Sequence, residues 1–277
     1  MAKFPPIDPS LVYDDPDGPM GNKTCPRSVS RHRLSQIAYH IDVSQYANCW
    51  GFAIFRTYYG GPEADQQFAR AVELLDLYAS SWALEELEHL NKSRVRFPPE
   101  QADEDPQVVH EIKNRYHNVI VEDRETLENA AVAEVGRQFE SWVVKNMDEV
   151  GTVANPRFDY CIMLDEESIL NILTLPETPD PTTLYKEPTV PDVWVKVVTS
   201  DVRLRRRLWL RVDVYEELWN LWFVQVNPEF HFEEHAGGYN GFGCIDMPRG
   251  FWGDGGAREF LPRGVIATPP PKRGLMY

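Results

Sequence analysis

The fold is decided by one stretch of aromatic and branched apolar residues, YANCWGFAIFRTYY, which spans residues 46–59. Residues 50–58, its centre, predict a buried β-strand, because aromatic and β-branched side chains favour a pleated, buried surface. The glycines and proline of residues 60–62 (GGP) predict the end of that strand. Apolar residues then recur at helical spacing over residues 63–90. The sequence therefore predicts a strand that passes into a long helix.

The same order of strand and helix follows twice more along the chain. Residues 117–122 (HNVIVE) predict a second strand and residues 124–146 a helix, while residues 157–164 (RFDYCIML) predict a third strand and a short helix to residue 173. The remaining predicted elements are strands at 193–199 and 208–214, a helix at 215–223, and a loop or short helix within 92–116. These elements predict an α+β (or α/β) fold, with a mixed sheet of about five strands flanked by long helices.

Composition divides the chain into three parts. Residues 1–30 are rich in Pro, Asp and Gly, which predicts a flexible or wrapping N-terminal arm. Residues 31–226 hold all the periodic segments and are expected to form a single α+β domain. Residues 227–277 are rich in Gly and Pro and predict an irregular tail that covers the domain.

The charge balance and the distribution of apolar residues argue against several classes of protein. The chain has 43 acidic and 28 basic side chains, a net charge of −15, which disfavours broad binding to nucleic acid. A membrane span requires a run of about 18 apolar residues, and the sequence contains none, so no membrane partner is expected. The first 30 residues hold no apolar segment typical of a signal peptide, and we expect a cytoplasmic protein.

The cysteines and histidines predict no metal site. The four cysteines (Cys25, Cys49, Cys161 and Cys244) form no C-x-x-C pair, and free thiols are expected. His231 and His235 are spaced as two ligands on one helix face, but a Pro and a Gly pair bracket them and favour a solvated loop. The sequence also contains none of the glycine-rich phosphate or dinucleotide motifs. We expect neither a metal nor a cofactor.

Polar side chains follow each of the first three predicted strands. If the strands are parallel neighbours, these side chains meet at one edge of the sheet, where open α/β sheets bind ligands. The catalytic candidates are Glu122 and Asp165 as bases, with Ser168 and Tyr58 as hydroxyl groups. The substrate-binding candidates are Arg56, Tyr59, Asp123, Glu166 and Glu167. The alternatives are that the acids only cap helices and that the arginine pairs with a buried acid.

One basic run stands out against the acidic composition. Arg203, Arg205, Arg206 and Arg207 lie close together, with Lys196 and Arg211 nearby in the sequence. Such a cluster suits the phosphates of an RNA, which makes these arginines nucleic-acid-binding candidates. Alternatively, they pair with the many acids elsewhere in the chain.

Four motifs carry a resemblance to known proteins. They are W-G-F-x-I-x-R-T-x-Y at 50–59, V-E-D-R at 121–124, F-x-x-W at 139–142 and D-E-E-S at 165–168. Over residues 46–225 the chain resembles a large group of filamentous-fungal proteins, most of them uncharacterised, which implies a fungal intracellular origin. More distantly, it resembles the fungal arginine-containing cyclodipeptide synthases. Those enzymes join a tRNA-delivered arginyl group to a second amino acid and close a diketopiperazine.

Two functional hypotheses follow. The first is an enzyme of fungal specialised metabolism that acts on an amino-acid-derived substrate, with tRNA-dependent formation of an arginine-containing cyclodipeptide as its most specific form. Its partner would be a small molecule or an aminoacyl-tRNA. The alternative is a non-catalytic interaction or regulatory module that binds a small ligand or a protein.

Overall fold

The computed structural model describes residues 4–12, 29–39, 46–93, 105–146, 156–179, 193–199, 209–214 and 216–225. Several sequence predictions lie outside these residues: those for the irregular tail 227–277, for His231 and His235, for the basic run from Arg203 to Arg207, and for Cys25 and Cys244.

One mixed sheet organises the described part of the chain. Its strands are β1 (Ala53–Arg56), β2 (Val119–Val121), β3 (Tyr160–Leu164), β4 (Trp194–Thr199) and β5 (Trp209–Asp213). The order across the sheet is β2-β1-β3-β4-β5. β1 pairs in parallel with both β2 and β3, whereas β4 is antiparallel to β3 and to β5. The predicted α+β class is confirmed.

Helices precede, connect and follow these strands. They are α1 (Val29–Tyr39), α2 (Ala64–Ser93), α3 (Pro106–Asn114), α4 (Arg124–Leu127), α5 (Val132–Asn146), α6 (Pro156–Asp159), α7 (Glu166–Ile172) and α8 (Glu216–Gln225), with a short 3-10 helix at Pro9–Leu11. Among the described helices, none combines the length and the apolar composition that a bilayer crossing requires.

The sheet separates two apolar layers, and alternation along β1 shows how. Ile54 packs into the layer with α2, α7 and α8, whereas Ala53 and Phe55 pack into the layer with α5. All three side chains are almost fully buried. Burying a side chain of the size of Ile or Phe contributes about 1.5–3 kcal/mol, so this two-sided burial of β1 fixes the strand in the centre of the domain.

The prediction of one continuous helix over residues 124–146 is wrong, because the chain forms two helices there, α4 and α5, with a break between them. Asn129 lies in the break with a φ of 56°, a left-handed conformation that Asn tolerates better than most residues. Its backbone N–H donates to the Thr57 carbonyl oxygen at 2.9 Å. This contact fastens the break to the end of β1, which local helical periodicity does not reveal.

The structure adds local detail to the predictions and differs from them at the start of the third strand. The third predicted strand begins with a helical turn, α6, so β3 starts only at Tyr160. The polar segment 92–116 contains α3, which begins after the capping side chain of Asp105 and has Pro106 in its first turn. In the N-terminal arm, the side chains of Ile7 and Leu11 are buried in the layer that contains α2.

Candidate functional site at the carboxyl edge of the parallel strands

The three parallel strands end side by side. In the register of the sheet, Phe55 of β1 faces Val121 of β2 and Met163 of β3. β1 ends at Arg56, and Glu122 and Asp165 come directly after its two neighbours, β2 and β3. The predicted meeting of these polar residues at one edge is confirmed. We call this region, residues 56–59, 122–123 and 165–167, the carboxyl edge.

Arg56 is the buried centre of the carboxyl edge, with 5% of its surface exposed. Its Nη1 donates to Glu122 Oε1 at 2.9 Å, its Nη2 to Asp65 Oδ1 at 2.5 Å, and its Nε to the Tyr58 carbonyl oxygen at 2.9 Å. The alternative that Arg56 pairs with an acid is confirmed, but its two partners, Asp65 and Glu122, are exposed rather than buried. Such a paired position is required because an unpaired buried charge is costly.

Two aromatic rings complete the surroundings of Arg56. Its Cζ lies 4.4 Å from the ring centroid of Tyr59 and 4.6 Å from that of Phe68, distances at which a cation is attracted to a ring face. Burial acts to lower the pKa of Arg56, but the hydrogen bonds and charges of Glu122 and Asp65 outweigh it and raise that pKa. The guanidinium therefore stays charged. We call Arg56 with these four side chains the Arg56 cage.

A second ion-pair cluster lies beside the cage. Asp165 Oδ1 accepts hydrogen bonds from Ser168 N at 3.0 Å and from Ser168 Oγ at 2.8 Å. Lys196 Nζ, from β4, donates to Asp165 Oδ2 and to Glu167 Oε2, the latter at 3.0 Å. Burial acts to raise the pKa of Asp165, but the bonds from Lys196 and Ser168 lower it below its usual value. Asp165 is thus held as a carboxylate.

Several candidates serve as helix caps. Asp165 caps α7, and Asp123 caps α4 by accepting from the backbone N–H groups of Glu125 and Thr126 at 3.1 and 3.4 Å. Ser168 is fully buried, and its hydroxyl donates to Asp165. The helix-cap interpretation therefore describes the contacts of these side chains, while their catalytic or binding roles stay predictions.

The two tyrosines of the edge are held in different ways. Burial, the nearby Glu166 and the charge of Glu63 raise the pKa of Tyr58. The Tyr58 ring lies over Gly60, where an added Cβ would approach Tyr58 Cε2 to 3.1 Å. The Tyr59 hydroxyl oxygen accepts from the Asp123 backbone N–H at 3.2 Å, and burial raises its pKa. Both hydroxyls therefore stay protonated at neutral pH and can donate.

Three residues of this region were not among the predicted site residues. Asp65 and Phe68 come from the first turns of α2, and Lys196 was grouped with the distant basic run. Lys196 did carry a signal, because it is the one charged residue in the apolar strand VWVKVVT. Asp65 carried none, since several acids follow β1 and their register on the helix decides which one reaches Arg56.

The carboxyl edge remains acidic after its ion pairs are formed. Arg56 and Lys196 each form ion pairs with two carboxylates. Arg124 Nη2 forms an ion pair with Glu128 Oε1 at 2.9 Å. The outer carboxylates are solvent-accessible, with 89% of the Asp65 side chain and 56% of the Glu167 side chain exposed. Within the described residues, no cluster of His, Cys, Asp and Glu is arranged to hold a metal ion. The edge is suited to a cationic ligand.

Comparison with protein-family models, curated proteins and solved structures finds no match to this chain. The resemblance to filamentous-fungal proteins therefore stays an expectation, and the proposals below start from the geometry.

Proposed function

We propose that the protein is an enzyme that binds a positively charged, amino-acid-derived substrate at the carboxyl edge. The observation that supports this most directly is the surplus of carboxylates at the ends of three parallel strands. The pairs around Arg56 and Lys196 leave Glu166 with no cationic partner among the described residues, and they leave Asp65 and Glu167 largely exposed. An acidic surface of this kind raises the local concentration of cations.

Tyr58 and Glu166 supply the chemistry in this proposal. The Tyr58 hydroxyl stays protonated at neutral pH because burial and the nearby Glu166 raise its pKa, so it can donate a hydrogen bond or a proton to a developing oxyanion. Glu166 can accept a proton from a substrate amine. Transfer of an aminoacyl group requires both actions, since the attacking amine loses a proton and the leaving oxygen gains one.

In its most specific form, the proposal is tRNA-dependent formation of an arginine-containing cyclodipeptide in fungal specialised metabolism. The Arg56 cage supports the arginine part, because two carboxylates and two rings already stabilise a guanidinium at this edge. The tRNA would meet the basic run at residues 203–207, which lies outside the described residues.

A cytoplasmic location is part of the proposal. Cys49 and Cys161 are free and buried, and burial raises the pKa of the Cys161 thiol. Unpaired buried thiols are typical of proteins that work in a reducing compartment. The prediction of free thiols is confirmed for these two residues, whereas Cys25 and Cys244 lie outside the described residues.

Ligand binding tests the charge preference of the edge. L-arginine methyl ester should bind, and L-norvaline methyl ester, which lacks the guanidinium, should bind at least about tenfold more weakly in calorimetry. Glu166→Gln should weaken the binding of the arginine ester, and raising the salt from about 0.02 to 0.3 M should do the same. Glu73→Gln, which removes an exposed acid from the middle of α2, is the matched control and should bind like the wild type. Equal binding of both esters would contradict the proposal.

Product analysis tests the reaction itself. Expression in a heterologous bacterium should yield a new arginine-containing diketopiperazine, and Tyr58→Phe should abolish it without changing the melting temperature by more than a few degrees. The double variant Arg205→Gln/Arg207→Gln should lower product formation and flatten its salt dependence if tRNA phosphates contact the basic run. Product that is unaffected by Tyr58→Phe would remove Tyr58 from the chemistry.

A non-catalytic interaction or regulatory module is the second candidate function. It is favoured by the capping contacts of Asp123 and Asp165 and by the burial of Ser168, which occupy three of the predicted site residues. The two esters separate the candidates when combined with product analysis. A module would bind the cationic ester and form no product, whereas the enzyme would do both.

A further inference from the structure

The opposite ends of the same parallel strands form a second polar region. Trp50 forms an isolated parallel bridge with Tyr116, and the His117 N–H donates to the Trp50 carbonyl oxygen at 2.8 Å. Gly51 lies between these contacts with a φ of 131°, and an added Cβ would approach the His117 carbonyl oxygen to 2.4 Å. The two backbones are therefore in close contact here. We call this region, residues 50–52 and 116–118, the amino edge.

The buried side chain of Asn118 connects the segments of the amino edge, and 6% of the residue's surface is exposed. Its Oδ1 accepts from the Phe52 N–H at 2.8 Å, and its Nδ2 donates to Asp76 Oδ1 at 2.7 Å and to the Tyr116 hydroxyl at 2.8 Å. One buried amide thus connects the start of β1, the start of β2 and the middle of α2. Both of its Nδ2 hydrogens are used.

Asp76 is held differently from the acids of the carboxyl edge. Within the described residues it forms no salt bridge, and Asn118 is its hydrogen-bond partner. Burial raises its pKa to about 6, against the lowering effect of the Asn118 bond. A carboxylate in this position lacks the cation that stabilises Asp165.

In the described part of the chain, no positively charged group forms an ion pair with Asp76. α2 packs against α3, α7 and α8. Tyr116 shares Asn118 with Asp76, and both Asp76 and Arg157 act on the Tyr116 hydroxyl electrostatically. Among the residues on neighbouring segments, His110 and Lys113 on α3 and His117 could carry a positive charge, but none of them forms a described ion pair with Asp76. The other charged residues nearby are acids: Glu73 on α2, Glu111 on α3, and Glu166 and Glu167 on α7. The side chains of Glu216 and Glu217 on α8 are outside the described ones.

We propose that Asp76 and Asn118 form a pH-sensitive latch between α2 and the amino edge, which holds more tightly when the Asp76 carboxyl is protonated. Opening the latch hydrates Asp76 and returns its carboxyl to an ordinary environment. The closed form therefore binds a proton more tightly than the open form, so closure is favoured as the pH falls through about 6 and weakened above it.

The latch acts on the helix that completes the Arg56 cage, because Asp65 and Phe68 lie on α2 as well. Asp76 is 11 residues beyond Asp65, a distance of roughly 16 Å along a helix. The proposal does not depend on the proposed enzyme function, since its readout is the closure of the latch.

Hydrogen exchange at the Phe52 amide reports the latch directly, because that N–H donates to Asn118 Oδ1. The quantity is the protection factor, which corrects for the intrinsic pH dependence of exchange. A carboxyl whose pKa is 6 when closed and near 4 when open predicts that protection falls about tenfold between about pH 5 and pH 8.

Two variants make the experiment specific. Asp76→Asn cannot titrate and still offers an oxygen to Asn118, so its Phe52 protection should be independent of pH after correction. Glu73→Gln lies one turn earlier on the same helix and should keep the wild-type dependence. Equal pH dependence in wild type and Asp76→Asn would overturn the proposal.

A measurement on the wild type covers the case in which Asp76→Asn does not fold. Carbon-13 NMR of the side-chain carboxyl follows the titration of Asp76 in the full chain. A midpoint near pH 6 is expected for a closed latch. A midpoint near pH 4 would show an ordinarily hydrated carboxyl and would overturn the proposal.

Discussion

The two edges of the parallel strands hold their polar groups in opposite ways. At the carboxyl edge, charged groups are paired: Arg56 and Lys196 are each bound by two carboxylates, and part of each cluster is open to water. At the amino edge, the neutral amide of Asn118 makes the connections, and Asp76 has no cationic partner among the residues that the structure describes. β1 and β2 thus begin at a closely packed contact and end, together with β3, in an acidic and accessible region.

This difference separates the parts of the fold that carry stability from those that are available for binding. A joint made of backbone contacts and one buried amide leaves no room for another side chain or ligand. Exposed carboxylates that share a buried cation keep free oxygens for a ligand. We therefore expect substitutions at the amino edge to act mainly on folding and substitutions of exposed acids at the carboxyl edge to act mainly on binding.

Gly51→Ala should have the largest effect on stability. Its Cβ would meet the His117 backbone carbonyl, which cannot move without separating the starts of β1 and β2. The positive φ of 131° adds strain for any side chain. We expect a loss of roughly 3–5 kcal/mol in the free energy of unfolding, measured by urea titration.

Gly61→Ala is the matched control for that prediction. Gly61 also has a positive φ, of 81°, but no atom lies within 4 Å of an added Cβ. The substitution should therefore cost only about 1 kcal/mol of backbone strain. Equal losses in the two variants would mean that the close approach at the amino edge contributes nothing.

Arg56→Met tests the cage at the other edge. It removes a buried cation, whose side chain is 6% exposed, and leaves Asp65 and Glu122 without their partner. Because these acids are largely exposed and become hydrated again, the loss should be about 2–3 kcal/mol, below the range for a fully buried pair. Arg124→Met, where the side chain is 67% exposed, should leave the unfolding free energy nearly unchanged. A loss for Arg56→Met as small as the control's would show that the cage is not structural.

The carboxyl edge was largely predictable from the sequence because local patterns determine it. Apolar runs identify β1, β2 and β3, and the residues after each run are polar. Parallel pairing then brings Arg56, Glu122 and Asp165 together. The particular partners were not predictable, since the rotation of α2 against the sheet decides that Asp65 reaches Arg56.

The amino edge was missed, although one signal was present. Asp76 lies within LLDLY, where apolar residues precede and follow the acid on a helix whose buried face includes Leu75 and Tyr78. An acid in such surroundings indicates a partly buried carboxylate with a specific partner. That the partner is Asn118 follows from tertiary packing alone, because 42 residues separate the two.

Asp165→Asn tests the pairing of Lys196 under a change of pH. Asn keeps the cap of α7 but removes the negative charge beside a cation with 9% of its surface exposed. We expect a loss of about 2 kcal/mol near pH 7 in urea titrations. The pKa of Asp165 is lowered in the folded protein, so its stabilising effect is present above the ordinary pKa and is lost as the pH falls through the folded one. The difference between wild type and variant should therefore narrow below pH 4, and a difference that is constant with pH would refute the ion-pair explanation.

Asp76→Asn should have the smallest effect and the opposite sign. The folded-state pKa of Asp76 is raised to about 6 from 3.8, so the folded protein holds its proton more tightly and loses stability as the pH rises from 3.8 to about 6. A shift of two pKa units corresponds to at most about 3 kcal/mol in the free energy of unfolding. Asp76 is partly exposed, and an amide oxygen accepts a weaker hydrogen bond than a carboxylate, so we expect a gain of about 1 kcal/mol near pH 7.5. Below about pH 3.8 the wild-type carboxyl is protonated in both the folded and the unfolded protein, so the gain from the substitution should be lost there. Parallel titrations of this variant and of Asp165→Asn thus sharpen the contrast between the edges, because removing one charge stabilises the protein and removing the other destabilises it. If Asp76→Asn lowers stability near pH 7.5, the carboxylate is better solvated or better paired than its contacts with Asn118 indicate, and the amino edge would resemble the carboxyl edge.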